Sequence, residues 1–250
     1  MASLDARNAM SRPENRWRLG YRRHAALIVV ALVALVGCTT AQRVRDRPIS
    51  FSEWRRDATL SYISDHYGSD LEEISIEPRI IVLHWTANND LEETLERFEP
   101  ESLPALRSDL GGTDQVNVSS QFLVDRNGAI YRLMPETWMA RHVIGLNLSA
   151  IGIENVGGAG GVDNMTKRQI RSNIRLVRYL KKTYASIEYL IAHSEYREFE
   201  GHPLWEEIDD NYRTEKIDPG ERMMSAVRAT VADLGLKGIE EIRAEREVIP

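Results

Sequence analysis

The sequence predicts an α/β protein, with a central mixed β-sheet, helices packed on its faces, and its chemistry at the C-terminal edge of the strands. Three observations carry this. Two short, β-branched or apolar runs, Ile80 to Leu83 and Tyr189 to Ala192, each stop abruptly on a histidine, His84 and His193. Continuous apolar runs of this length read as strands buried on both faces. Asn127-Gly128 stands between the apolar runs Phe122 to Val124 and Ile130 to Leu133, a strong signal for a hairpin and hence for an antiparallel pair. Ala150 to Val156 alternates, with Ile151 and Ile153 on one face and Gly152 and Glu154 on the other.

The elements follow in order. Arg16, Arg18, Arg22 and Arg23 precede an uncharged run from Ala25 to Val36. That run is too short to span a bilayer core of about 30 Å as a helix, so residues 1–37 read as a secretory signal. It ends in Leu35-Val36-Gly37-Cys38, which resembles a bacterial lipoprotein signal with Cys38 as the lipidated residue; a simple signal anchor is the alternative. Thr39 after the cysteine implies, by the same resemblance, the periplasmic face of the outer membrane. Residues 38–50 are polar and read as a tether, residues 51–236 as one folded domain, and residues 237–250 as a charged tail that frays.

Within the domain, Trp54, Ala58, Tyr62 and Ile63 have helical spacing. Asp90 to Phe98 is a second expected helix, and residues 100–117 read as loop. Thr166-x-x-Gln169 is a capping-box pattern opening a helix with Ile170, Ile174 and Val177 on one side and Arg171, Arg175, Arg178, Lys181 and Lys182 on a solvated face. Met223, Met224, Val227 and Val231 mark a last helix, with the methionines as core filling.

Composition narrows the function. Six arginines stand against two acids before His24, a balance of +4 in a chain of net charge −6, so the remainder carries −10. A body this acidic is a poor nucleic-acid binder. One cysteine, Cys38, permits neither an internal disulfide nor a cysteine-rich zinc site.

If the two histidine-ended strands are parallel neighbours, His84 and His193 share the edge where open α/β sheets place ligands. After His193 a polar, aromatic-studded excursion closes on Lys216-Ile217-Asp218-Pro219-Gly220. Two histidines and Asp218, with a fourth position open, form a catalytic zinc arrangement. Glu154 is then placed to act as general base, and Lys216 to stabilise a developing oxyanion. Each piece alone has a plain structural reading; together they point to a metal-dependent hydrolase.

Ile80 to Ala87, Ser120 to Tyr131, Asn147-x-Ser149-Ala150-Ile151-Gly152-Ile153-Glu154, Ala192-His193-Ser194 and Lys216-x-Asp218-Pro219-Gly220 together resemble the type-2 N-acetylmuramoyl-L-alanine amidase family, which includes peptidoglycan recognition proteins. The resemblance implies a Zn2+ amidase domain over 51–236. It would cut between N-acetylmuramic acid and L-alanine of the stem peptide in peptidoglycan or muropeptides, with His84, His193 and Asp218 on the metal. By the same resemblance His142 and Asn147 are expected to meet substrate. Gln121 departs from the His or Tyr frequent near that position. The 22 residues from Ser194 to Glu215 exceed the usual spacing and are expected to form a flap on the substrate groove. A non-catalytic muropeptide-binding protein, or a zinc peptidase cutting within the stem peptide, are the alternatives.

Overall fold

The computed structural model describes residues 44–105 and 115–248. The expected signal segment and Cys38 lie outside the described residues. Among the described residues no helix is long and apolar enough to cross a membrane.

Six strands form one mixed sheet: β1 (Val44–Asp46), β2 (Ile80–Leu83), β3 (Phe122–Val124), β4 (Ile130–Arg132), β5 (Ala150–Asn155) and β6 (Tyr189–Ala192), in spatial order β1-β4-β3-β5-β2-β6. β3, β5, β2 and β6 are parallel neighbours, β4 runs antiparallel to β3, and β1 lies parallel to β4. The Asn127-Gly128 hairpin forms as expected. Gly128 has φ 85°, a left-handed conformation suited to glycine, and the Asp125 N–H donates to Ala129 O at 2.9 Å across the turn.

Among the described residues five α-helices accompany the sheet: α1 (Glu53–Tyr67), α2 (Leu91–Phe98), α3 (Lys167–Thr183), α4 (Glu221–Thr230) and α5 (Ile239–Val248). The capping box opens α3: the Gln169 N–H donates to Thr166 Oγ1, and the Thr166 N–H donates to Gln169 Oε1. Strand parity divides the packing. Ile81, Leu83, Ile151, Ile153, Leu190 and Ala192 share a core with Leu176, Val177 and Leu180 of α3 and Met223, Met224 and Val227 of α4. Ile80, Val82, Ala150, Tyr189 and Ile191 pack instead with Val143, Ile144, Tyr196, Phe199 and, from α5, Ile242.

Three expectations are corrected. The tether does not extend to residue 50: Val44–Asp46 is an edge strand, and beyond it the Ile49 N–H donates to Leu133 O while Ile49 is buried. Only Val44 of this three-residue strand is even partly buried, the other two residues being exposed and charged, and so short and polar an edge carries no strand periodicity, which hid it. The tail does not fray from 237: it forms α5, with Ile242 fully buried and Glu245 accepting from Tyr189 Oη at 2.8 Å. α1 is rotated from its expected phase, leaving Trp54 45% exposed and burying Arg55 completely. The Arg55 guanidinium donates to the carbonyls of Ser50 (2.7 Å) and Phe98 (3.2 Å), closing the C-terminal end of α2.

Candidate active site

Strand register assembles the site. Leu83 pairs with both Ile153 and Ala192, so the next residue on each strand, His84, Glu154 and His193, falls in one row at the sheet's C-terminal edge. Backbone hydrogen bonds hold that row past the strand ends: His84 N–H to Ile153 O at 2.9 Å and Asn155 N–H to His84 O at 3.1 Å. Asp218 arrives from the long excursion, which is closed at its base where the Ser194 N–H donates to Asp218 O at 2.8 Å. Gly220 then passes so close to Asp163 that a Cβ there would lie 2.4 Å from the Asp163 Cβ. That approach lets Asp163 Oδ2 accept from the Met223 N–H in the first turn of α4.

His84, His193 and Asp218 form a buried group. Their facing atoms are close: His84 Nδ1 to His193 Nδ1 3.0 Å, His193 Nδ1 to Asp218 Oδ2 3.2 Å, and His84 Nδ1 to Asp218 Oδ2 3.6 Å. A tetrahedral Zn2+ with bonds of 2.0–2.1 Å separates its ligand atoms by about 3.3 Å, so the three side chains fit that ion. The Trp85 N–H adds a contact to Asp218 Oδ2 at 3.4 Å.

The protonation states suit ligation. Burial and then the neighbouring His193 push His84 down to about 4, leaving it neutral. For Asp218 burial acts upward, but His193 and His84 outweigh it and hold the carboxyl well below the usual range. Glu154 is pushed up to about 8, first by burial and then by the Asp218 carboxylate, with Lys216 acting against both. Its Oε2 finds no hydrogen-bond partner among the described residues. A carboxyl poised near neutrality and facing a cleft has the properties of a general base.

The site opens into a cleft of about 700 Å³ lined by Glu154, His193, Lys216 and Asp218, by Trp85 and Thr86 after β2, by Thr94, Arg97 and Phe98 of α2, and by Arg141, Tyr212 and Ile217. A second hollow, of about 540 Å³, lies by Asp46 and Glu136. The Glu136 carboxylate there is satisfied by Arg132, Tyr179 and Tyr184.

The sequence profile of the family described as N-acetylmuramoyl-L-alanine amidase (Amidase_2) matches residues 75–234. The chain belongs to this family. No curated protein sequence matches it. Among solved structures, the endolysin amidase LysCS from Clostridium intestinale URNW is 20% identical with a TM-score of 0.47, covering 78% of this chain and 99% of that one. A peptidoglycan recognition protein, PGRP-LE, in complex with tracheal cytotoxin is 15% identical (TM-score 0.48; 79% and 98% covered). A selenomethionine derivative of AmpD is 20% identical (TM-score 0.46; 75% and 93% covered).

In this amidase the two residues expected to meet substrate both line the cleft, and each is also held by partners within the protein. Asn147 is fully buried; its Oδ1 accepts from the N–H groups of His142 and Val143, both at 2.9 Å, and its Nδ2 donates to Tyr67 Oη at 2.8 Å. With both ends of its carboxamide engaged, it pins the 142–147 loop at the wall of the cleft, which it also lines. His142 lines the cleft, but its Nδ1 lies 3.0 Å from His84 Nε2. Gln121, the departure from the family pattern, is also a brace: its Oε1 accepts from the Gly152 N–H at 2.7 Å and its Nε2 donates to Trp138 O.

The excursion divides in two. Tyr196 and Phe199 are buried against the sheet, Trp205 packs under Gly145, and Glu207 pairs with His66 of α1. Only the returning stretch, from Tyr212 to Ile217, lines the cleft. The expected flap is therefore mainly a cover for the sheet. Sequence reasoning also left out α2 and Arg141 as cleft walls. Arg141, buried at 4% exposure, donates to Val116 O and Tyr212 Oη, and an arginine among loop residues carries no sequence signal of burial.

Proposed function

We propose that this amidase is zinc-dependent and hydrolyses the amide between N-acetylmuramic acid and the L-alanine of the stem peptide, in peptidoglycan or soluble muropeptides. The observation that carries the reading is the convergence of three buried donors, at 3.0–3.6 Å, beside an unpartnered Glu154 oxygen in a cleft. His84, His193 and Asp218 would hold the ion. When bound, Zn2+ supplies a Lewis acid that polarises the amide carbonyl and acidifies water. Glu154, as carboxylate, takes a proton from the attacking water and returns it to the leaving amine. The Lys216 ammonium, which is close enough to bias both Glu154 and His84, opposes the negative charge that develops on the carbonyl oxygen.

Digestion of defined muropeptides followed by mass spectrometry tests this. The expected products are intact glycan and free stem peptide. Shorter peptides indicate a peptidase, and unaltered but retained substrate a binding protein. Strong chelator should abolish turnover, and Asp218→Ala should lose both the metal and activity.

Lipidation of Cys38 would hold the enzyme at the membrane beside its polymer, at the periplasmic face of the outer membrane. Metabolic labelling with a fatty-acid analogue should mark the chain and fail in Cys38→Ser.

A further inference from the structure

His142 lies outside the ligand set, yet its ring is built into the site more firmly than a substrate contact requires. Its Nδ1 stands 3.0 Å from His84 Nε2, the nitrogen facing away from the ligand cluster, with the two rings at 89°. Its own Nε2 lies 3.4 Å from Ala150 O. Its backbone N–H is fixed by Asn147 Oδ1. Below it, Gly152 leaves room that no other residue would: a Cβ there would meet the His142 ring Cγ at 2.8 Å and Cδ2 at 2.9 Å.

The backbone carbonyl sets the direction of the chain of bonds. Ala150 O can only accept, so His142 Nε2 carries the proton. In the neutral ring Nδ1 is then an acceptor, and His84 Nε2 must be the N–H that donates to it. That leaves the lone pair of His84 on Nδ1, the atom facing His193 and Asp218. A carbonyl on β5 thus fixes, through two rings, the tautomer that His84 needs to bind a metal.

We propose that His142 is a positioning residue that holds His84 in its ligating tautomer and orientation; this rests on the metal-site reading given above. Partners of this kind orient ligating histidines, and their loss weakens metal affinity about 10–100-fold.

Two substitutions separate positioning from bulk. His142→Leu fills much of the ring's space without an acceptor. His142→Asn restores an acceptor near the place of Nδ1. In the full chain, Zn2+ affinity measured by competition with a chromogenic chelator should fall about 10–100-fold for the leucine variant and stay within a few-fold for asparagine. The melting temperatures of the two metal-free variants should match. Gly152→Ala, which displaces the His142 ring while leaving both histidines in the sequence, should weaken Zn2+ binding as leucine does.

Ring-nitrogen NMR of the metal-free protein gives a readout that does not require zinc to be the native ion. His84 should be the Nε2–H tautomer in the wild type and lose that preference in His142→Leu. Unchanged zinc affinity in the leucine variant, or equal losses in both variants, overturns the proposal. So does a wild-type His84 protonated on Nδ1. If KM alone rises, His142 is a substrate contact instead. A wild-type chain that binds no zinc but shows the expected tautomer and its loss overturns only the choice of ion.

Discussion

Glu154 is held where its carboxylate is penalised. In the folded, metal-free chain it titrates at about 8 against an ordinary value of 4.5, so between those values the folded state keeps a proton that the unfolded state has released. Stability from this group is therefore complete below about pH 4.5 and is lost as pH rises through 8. Thermal unfolding in chelator should show this decline, and Glu154→Gln should flatten it; parallel profiles would remove the physical basis for a tuned base. In the metal-loaded enzyme the same substitution should leave zinc bound and lower kcat by about 10²–10⁴-fold. His84, His193, Glu154 and Asp218 were legible in the sequence because strand ends and a Pro-Gly return mark them without knowledge of packing. The bracing of Asn147 and His142 was not legible because their partners, Tyr67, His84 and Ala150, are distant in sequence or reached through a ring whose direction no pattern encodes.

At the level of elements, periodicity gave the strands and helices whose burial is one-sided and apolar, and missed those that lean on polar contacts. β1 is a three-residue edge whose Arg45, with Arg47 just beyond the strand, lies over Tyr131, and α5 is mostly charged, with one fully buried anchor. That anchor makes α5 testable. Ile242 sits among Tyr189, Phe199 and Ile80, and Arg243 pairs with Glu198 at 2.7 Å, so α5 backs the segment that follows His193. Ile242→Ala removes a buried side chain at a cost of about 2–5 kcal/mol, which lowers Tm by several degrees in a domain of this size. Calorimetry should show that loss, while zinc affinity and KM remain within a few-fold. An unchanged Tm would mean that α5 is not seated on the core.

Across the whole molecule, one connection runs from α1 through the excursion to the cleft wall. The Glu207 carboxylate, with its side chain fully buried, lies 3.1–3.2 Å from His66 Nδ1 and also accepts from the Asp209 N–H. The Ile208 N–H donates to His66 O at 2.9 Å. Four residues on, the Tyr212 ring packs tilted against His66, with ring centroids 4.4 Å apart, and its Oη accepts from Arg141. Tyr212 in turn begins the stretch that lines the cleft. Glu207→Ala breaks this anchor and leaves a buried imidazole nitrogen unpaired, a loss of about 1–3 kcal/mol. His84, His193 and Asp218 are untouched, because the Ser194 N–H bond to Asp218 O closes the excursion at its own base. The expected outcome is therefore a raised KM for muropeptide, with kcat and zinc content retained and faster amide exchange confined to about residues 206–215. Loss of zinc together with KM would show that the excursion supports the ligands directly. An unchanged KM with faster exchange would show that the returning stretch does not touch the substrate, leaving α2 and the 141–144 loop as the walls that do.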